Sequence, residues 1–342
     1  MDKERETARG VPGVIGCLTA GFEMLTQNLQ VVALPVVLDL VLWLGPRVSV
    51  SPLVDGVRRV MAEQAATDPQ IAGQVEQAAR LFEQFGERFN LLSVLGGFPM
   101  FEVPSLLARH APTAGSPLGT PQMVSVSSIL ALFPWWAGLG LLGLSLGFVY
   151  LNEIAGQVRD GAGLNSRGAS DRAEMDVENN RDGLRKGMVR FLRFLAFAAG
   201  LMVLGLLVVP VWVLMVTLVA TVAEPLGILA WVGGVGMLSY AALHLLFVVP
   251  GLLLGDRRLL RAIGESILLI HLDLSSVFGF VLLAVVIYEG LSFAWSLPNS
   301  DSWALLIGIL GNAFVATGLT GAAFIFYRDR VVRGHDLVGD GQ

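Results

Sequence analysis

The sequence predicts an all-α fold: a polytopic integral membrane helical bundle of about six transmembrane helices, with interfacial helices and an outer helical hairpin. Three observations predict it. Of 342 residues, 54% are hydrophobic and only 15% are charged, against roughly 25% charged in an ordinary soluble domain. One core cannot hide that much apolar surface, so lipid is the expected solvent for the excess. Apolar runs long enough to cross a bilayer, about 17 to 25 residues, recur along the chain. Lysine and arginine also alternate from loop to loop, as the positive-inside rule requires.

The first span is expected at 29–45, a short run that carries Pro35 and Asp39 and stops at Pro46-Arg47. The second, 129–151, and the sixth, 303–327, contain no charged residue. Spans three and four, 194–223 and 226–254, are separated only by Glu224-Pro225. Proline lacks a helical donor and restricts the residue before it, so this pair reads as a tight helical hairpin. Pro210 is expected to kink the third span. The fifth, 276–297, carries Glu289 and ends at Pro298-Asn299-Ser300.

The basic residues test this count. Three of the 23 precede the first span, eight lie in 152–193, three in 255–275 and three after 327. The loops around Glu224 and Asn299 have none, and the other six fall in 46–128. Cytoplasmic loops collect Lys and Arg, so both termini are expected in the cytoplasm of a bacterial-type cell (inner) membrane. The opening MDKERETARGVPG is polar and lacks a small-residue cleavage site, so no cleaved signal peptide is expected.

The chain 1–342 thus reads as a single transmembrane domain with an extracytoplasmic helical insertion at 46–128 and a polar cytoplasmic loop at 152–193. In the insertion, Ile71, Val75, Ala78, Phe82, Phe85, Phe89 and Leu92 recur at spacings of four and three, a helical stripe. Asp68 reads as its N-cap and Pro69 as its first helical residue. Leu53, Val57 and Val60 form a shorter stripe, completing a hairpin. The stripe either packs on the bundle or membrane surface, or presents Phe82, Phe85 and Phe89 to a protein partner or a second copy. The stretch 99–128 is rich in Pro, Gly and Ser and reads as ordered irregular loop. In the cytoplasmic loop, 161–183 reads as mobile and polar, while GLRKGMVRFLRF reads as a basic interfacial helix on anionic headgroups. DRRLLRAIGESILLI before span five and VIGCLTAGFEMLTQNL before span one have the same character. The pattern suggests three copies of an interfacial helix followed by two spans.

The opening GFEMLTQNLQVVALPVVLDLVLWLGPR and the GESILLI lead-in resemble poorly characterised six-span bacterial membrane proteins. These are related to the membrane domain fused to some glycerophosphodiester phosphodiesterases. The resemblance implies the bundle architecture. No soluble phosphodiesterase domain is expected here, so that activity is not implied, and the long outer hairpin departs from the short loops expected of such proteins.

Ionisable groups inside spans cost about 2.5 to 3.5 kcal/mol at the helix centre and need a reason. At about 1.5 Å per residue, Asp39, Glu289 and Asn312 reach comparable depths. They are the candidate intramembrane polar cluster, either a proton, cation or solute path, or interhelical hydrogen bonding. His244, and His271 with Asp273, read as interfacial hydrogen bonding more readily than as a metal or proton site. Glu178, Asn180, Asp182 and Gly183 imitate a calcium loop, but Val189 stands where its closing glutamate belongs. No metal or other cofactor is expected, and no catalytic residue set is present. Without a basic stripe interleaved with aromatics, nucleic acid is not an expected partner. Cys17 is the only cysteine, which rules out an internal disulfide. Gly143 and Gly147 form a GxxxG suited to close helix packing.

Two functional readings follow. The first is a non-enzymatic structural, assembly or scaffold subunit of a membrane complex, with the lipid bilayer as its surroundings. The alternative is a small-solute or lipid transporter using the mid-membrane carboxylates.

Overall fold

The computed structural model describes residues 13–67, 72–98, 100–110, 115–161, 176–255 and 257–339. Asp68, Pro69, Ile71 and most of the loop expected at 161–183 lie outside them. The fold is nearly all-α. Among the described residues five helices are long and apolar enough to cross a membrane, or six if one bent pair counts as a span.

That pair is α1 (Val14–Gln27) followed by a 3-10 turn (Leu29–Val32) and α2 (Ala33–Leu44), with a 93° bend at the break. The stretch expected to span at 29–45 thus divides into a 3-10 turn and α2. Its α-helix has 12 residues, about 18 Å at 1.5 Å per residue, against a hydrocarbon core of about 30 Å. Pro35 falls in the first turn, where its missing donor is not needed.

The chain divides into two compact units. One comprises Leu25–Leu151 and Leu283–Leu319. After α2 it contains β1 (Arg47–Ser49), α3 (Ser51–Thr67), α4 (Ala72–Arg88) and a 3-10 helix, Leu91–Gly96. Then come α5 (Leu106–Arg109), β2 (Met123–Ser125) and most of α6 (Ile129–Gly161). The strands pair in parallel, Arg47 with Met123 through Ser49 with Ser125. The stretch read as irregular loop thus holds a strand and a helical turn. Asn90 knits the unit together: its Oδ1 accepts from Val48 N at 3.0 Å and from Leu92 N at 3.2 Å. Trp43, fully buried, donates to the Ser300 carbonyl at 2.7 Å and meets Trp303 edge-on. Helices α3 and α4 form the expected hairpin, with Val54 buried against Gly86 and Arg58 bridging Asp55 and Glu83.

The other unit comprises Met1–Met24, Asn152–Leu282 and Thr320–Gln342. It holds α7 (Asp176–Val222), α8 (Glu224–Leu245), α9 (Val248–Gly255) and α10 (Leu259–Leu272). It also takes the start of α11 (Leu274–Ser296) and the later part of α12 (Leu305–Gly339). Helix α7 is continuous, so the basic stretch 185–193 belongs to the same helix as the apolar run that follows it and is not a separate helix. Residues 176–183, expected as mobile loop, are its first turns, which leaves no calcium loop. Helix α7 also runs on through Pro210. The turn at Ala223 is extended, with Pro225 at the start of α8, as the hairpin reading requires. Trp212 stacks on Trp231 at 4.6 Å, over Gly234. The run expected as the fourth span is divided into α8 and α9 between Leu245 and Val248, where Phe247 is buried against Phe326 and Tyr327.

Candidate functional site

The most connected polar site is built around α5, which sequence reasoning missed. Ser105 precedes it in an extended conformation and caps it, its Oγ accepting from Ala108 N at 3.0 Å. Asp39 meets the same helix start. Its Oδ1 accepts from the Ser105 hydroxyl and from Leu107 N at 3.0 Å, and its Oδ2 accepts from Leu106 N at 3.0 Å. Free N–H groups at a helix start favour a carboxylate. Asp39 and Ser105 are buried, and hydrogen bonds to a charged group contribute about 1.5 to 3 kcal/mol each. The cost of burying Asp39 is thus partly offset inside the fold.

Arg109 ends α5. Its guanidinium pairs with Glu102 and, at 3.1 Å, with Glu289, and lies 4.8 Å from the centre of the Tyr288 ring. Burial opposes the Arg109 charge, but Glu102, Tyr288 and Glu289 outweigh it, so its pKa is raised. Glu289 is not walled in by protein, its side chain being 56% exposed. One helical turn therefore fastens to α2 at its start and to α11 at its end.

The chain leading into α5 lies on a glycine seam. A Cβ at Gly147 would meet the Phe101 carbonyl oxygen at 1.9 Å, and one at Gly143 would meet the Val94 carbonyl at 2.8 Å. The GxxxG of α6 receives backbone from this segment, a correction to the helix-packing reading. Gly97 (φ 90°) and Met100 (φ 73°) turn the segment through the left-handed region. Phe101, Val103, Leu106 and Leu107 are buried.

The candidate trio is split. Asp39 engages the start of α5 and Glu289 its end. Asn312 is buried, its Oδ1 accepting from Ser292 Oγ at 2.8 Å while its Nδ2 has no acceptor among the described residues. No hydrogen bond or ion pair among the described residues joins the three directly. Nearby, Tyr150 donates to Thr317 at 3.1 Å and Thr317 to the Ala313 carbonyl at 2.6 Å.

The other candidates serve the fold. His244 Nδ1 lies 2.9 Å from the Tyr240 carbonyl, and its ring centre is 5.3 Å from that of His271. Asp273 pairs with Arg330 at 3.0 Å. Burial would raise its carboxyl pKa, but bonds from Ser276 and Arg330 hold it below the ordinary value. No group of three metal-ligating side chains occurs among the described residues. On the α4 stripe Phe82 is 42% exposed and Phe89 half-buried, and the Phe85 side chain lies outside the described residues.

Ser105, Glu102 and Arg109 left only a faint trace in the sequence. The one signal is a capping serine before Leu-Leu-Ala-Arg. Comparison of the chain with protein-family models, with curated proteins and with solved structures finds no match.

Proposed function

We propose that the chain is a non-enzymatic multi-pass protein of a bacterial-type inner membrane, with both termini cytoplasmic, acting as a structural, assembly or scaffold subunit. The observation that carries this reading is the engagement of Asp39. A carboxylate that meets three donors of its own chain has little capacity left for a passing ion or solute. Glu289 likewise faces an arginine of the same fold. The α3–α4 hairpin is the contact surface in this reading, with Leu81 62% and Phe82 42% exposed.

The resemblance to the membrane domain of glycerophosphodiester phosphodiesterases belongs to the same proposal and concerns architecture alone. The second reading, a small-solute or lipid permease, draws on one observation, the buried Asn312 amide without an acceptor. An unpaired buried donor is costly and has a use where a polar cargo passes.

Purification under mild detergent separates the two readings. A scaffold retains a stoichiometric partner that Leu81→Asp and Phe82→Asp release, with thermal stability unchanged. A chain that runs alone, with Asn312→Ala abolishing solute uptake in vesicles, overturns the scaffold reading.

A further inference from the structure

Two basic stretches distant in sequence meet within the unit that holds α7 and α10. Arg193 donates from Nη1 to the carbonyl of Arg257 at 3.2 Å, across 64 residues. Arg257 and Arg261 are held on Glu265 at 3.4 and 3.0 Å. Glu265 is mostly buried and accepts from the Tyr327 hydroxyl at 3.0 Å. The guanidiniums of Arg193, Arg257 and Arg261 therefore have partners within the fold before any ligand arrives, which lowers the ordering cost of binding. Arg258, the residue before α10, is exposed, and Arg261 remains 59% exposed despite its pairing.

The same surface carries bare apolar groups. Leu260, between the arginines, is 83% exposed, and Leu192, beside Arg193, is 55% exposed. Further along α10, Leu268 and Leu272 are exposed as well, while Ala262, Ser266, Leu269 and Ile270 are buried. A helix with one face in the protein, one apolar face bare and arginines at its start suits the boundary between headgroups and acyl chains. Guanidinium is also the side-chain group that best matches the oxygens of a phosphate, bidentately.

We propose that this surface binds an anionic glycerophospholipid. Arg193, Arg258 and Arg261 take the phosphodiester, and Leu192 and Leu260 flank the upper acyl chains. Glu265, which accepts from Tyr327, is a positioning residue that holds Arg261 directly and Arg257 beside it. The proposal rests on the chain lying in a bilayer and is independent of the scaffold reading.

The test is native mass spectrometry and thermal unfolding of the full chain in mild detergent. The probes are phosphatidylglycerol, phosphatidylcholine or inorganic phosphate, each added alone, and phosphatidylglycerol followed by millimolar phosphate. Phosphatidylglycerol is expected to persist as an adduct under activation that strips phosphatidylcholine, and to raise the melting temperature where phosphatidylcholine does not. Arg258→Gln together with Arg261→Gln should lower phosphatidylglycerol retention by roughly tenfold or more, the loss of two cations at an anionic surface. Arg258→Gln alone, at an exposed position, should lower it in part and keeps the test valid if the double variant misfolds. Equal retention of the two lipids, or unchanged retention in both variants, overturns the proposal. Displacement of the lipid adduct by millimolar phosphate also overturns it, in favour of a free-phosphate site. Failure of the wild-type chain to enter vesicles at all would instead defeat the bilayer reading.

Discussion

Helices α12 and α7 are both long and apolar, yet they meet opposite surroundings. Of the most apolar stretch of α12, 67% is buried by protein, whereas none of that of α7 is, although α7 is the more apolar of the two. Small residues are one source of the difference. Helix α12 buries Ala313, Ala316, Thr317 and Ala322 beside larger side chains such as Ile309 and Phe326, while α7 exposes Leu206, Val211, Leu214 and Leu218. Lipid tails are as apolar as leucine, so hydropathy does not draw a membrane helix toward protein. Small residues do, because they let backbones come close enough for dispersion and hydrogen bonds to act. Gly308 shows this: a Cβ there would stand 2.3 Å from the Trp295 carbonyl oxygen.

The comparison breaks most sharply at matched glycines. Gly308→Val forces a methyl group into that backbone contact and is expected to cost about 3 kcal/mol or more, at the upper end for overpacking. Gly205→Val on α7 meets open space and should shift stability by no more than about 0.5 kcal/mol. Thermal unfolding of the two variants in one detergent reads the difference. Equal losses would mean that the exposed helix is as closely packed as the buried one.

A smaller effect separates the two carboxylates of the candidate site by the same criterion of protein contact. Asp39→Asn is not neutral, despite the matching shape. The amide supplies one acceptor oxygen, so an N–H of α5 then faces an NH2 group. Leaving a buried donor unsatisfied costs about 1 to 3 kcal/mol. Glu289→Gln loses a half-exposed ion pair and should cost less than about 1 kcal/mol. Melting curves that rank the two in reverse would show that Arg109, and not the start of α5, holds the segment in place.

How much of this was legible in the sequence follows from the kind of interaction. Long helices lie over the apolar runs at 129–151, 194–223, 226–254, 276–297 and 303–327, because apolarity over about 20 residues is a local property. The hairpin at Glu224-Pro225 is readable for the same reason, since proline acts on its own neighbours. The bend before α2 is not, because a run of apolar residues looks the same whether it is straight or bent through a 3-10 turn. The partners of Asp39 are hidden for a different reason. Ser105 lies 66 residues away, in a stretch whose Pro, Gly and Ser content marks it as loop and says nothing of where the loop docks. Gly143 and Gly147 do announce a close approach, but a GxxxG does not specify whether a helix or an irregular backbone will come to it.

The smallest expected effect is the most informative about α7. Leu206 is 67% exposed, and Leu206→Ala removes a large side chain whose neighbours, for a chain lying in a bilayer, are acyl chains. Lipid or detergent closes over the vacated volume, so no cavity forms and the transfer term is close to zero. The change in unfolding free energy should stay within about 0.5 kcal/mol. The same truncation at Leu252, which is fully buried, should cost about 2 to 5 kcal/mol, because the surrounding protein cannot collapse to fill the gap. If Leu206→Ala instead destabilises the protein by a comparable amount, or shifts its size on a detergent gel-filtration column, then α7 is covered by protein in the membrane. Its exposure in the single chain would then mark a face that a second copy or a partner subunit occupies, and the contact surface would have to be moved there from the α3–α4 hairpin.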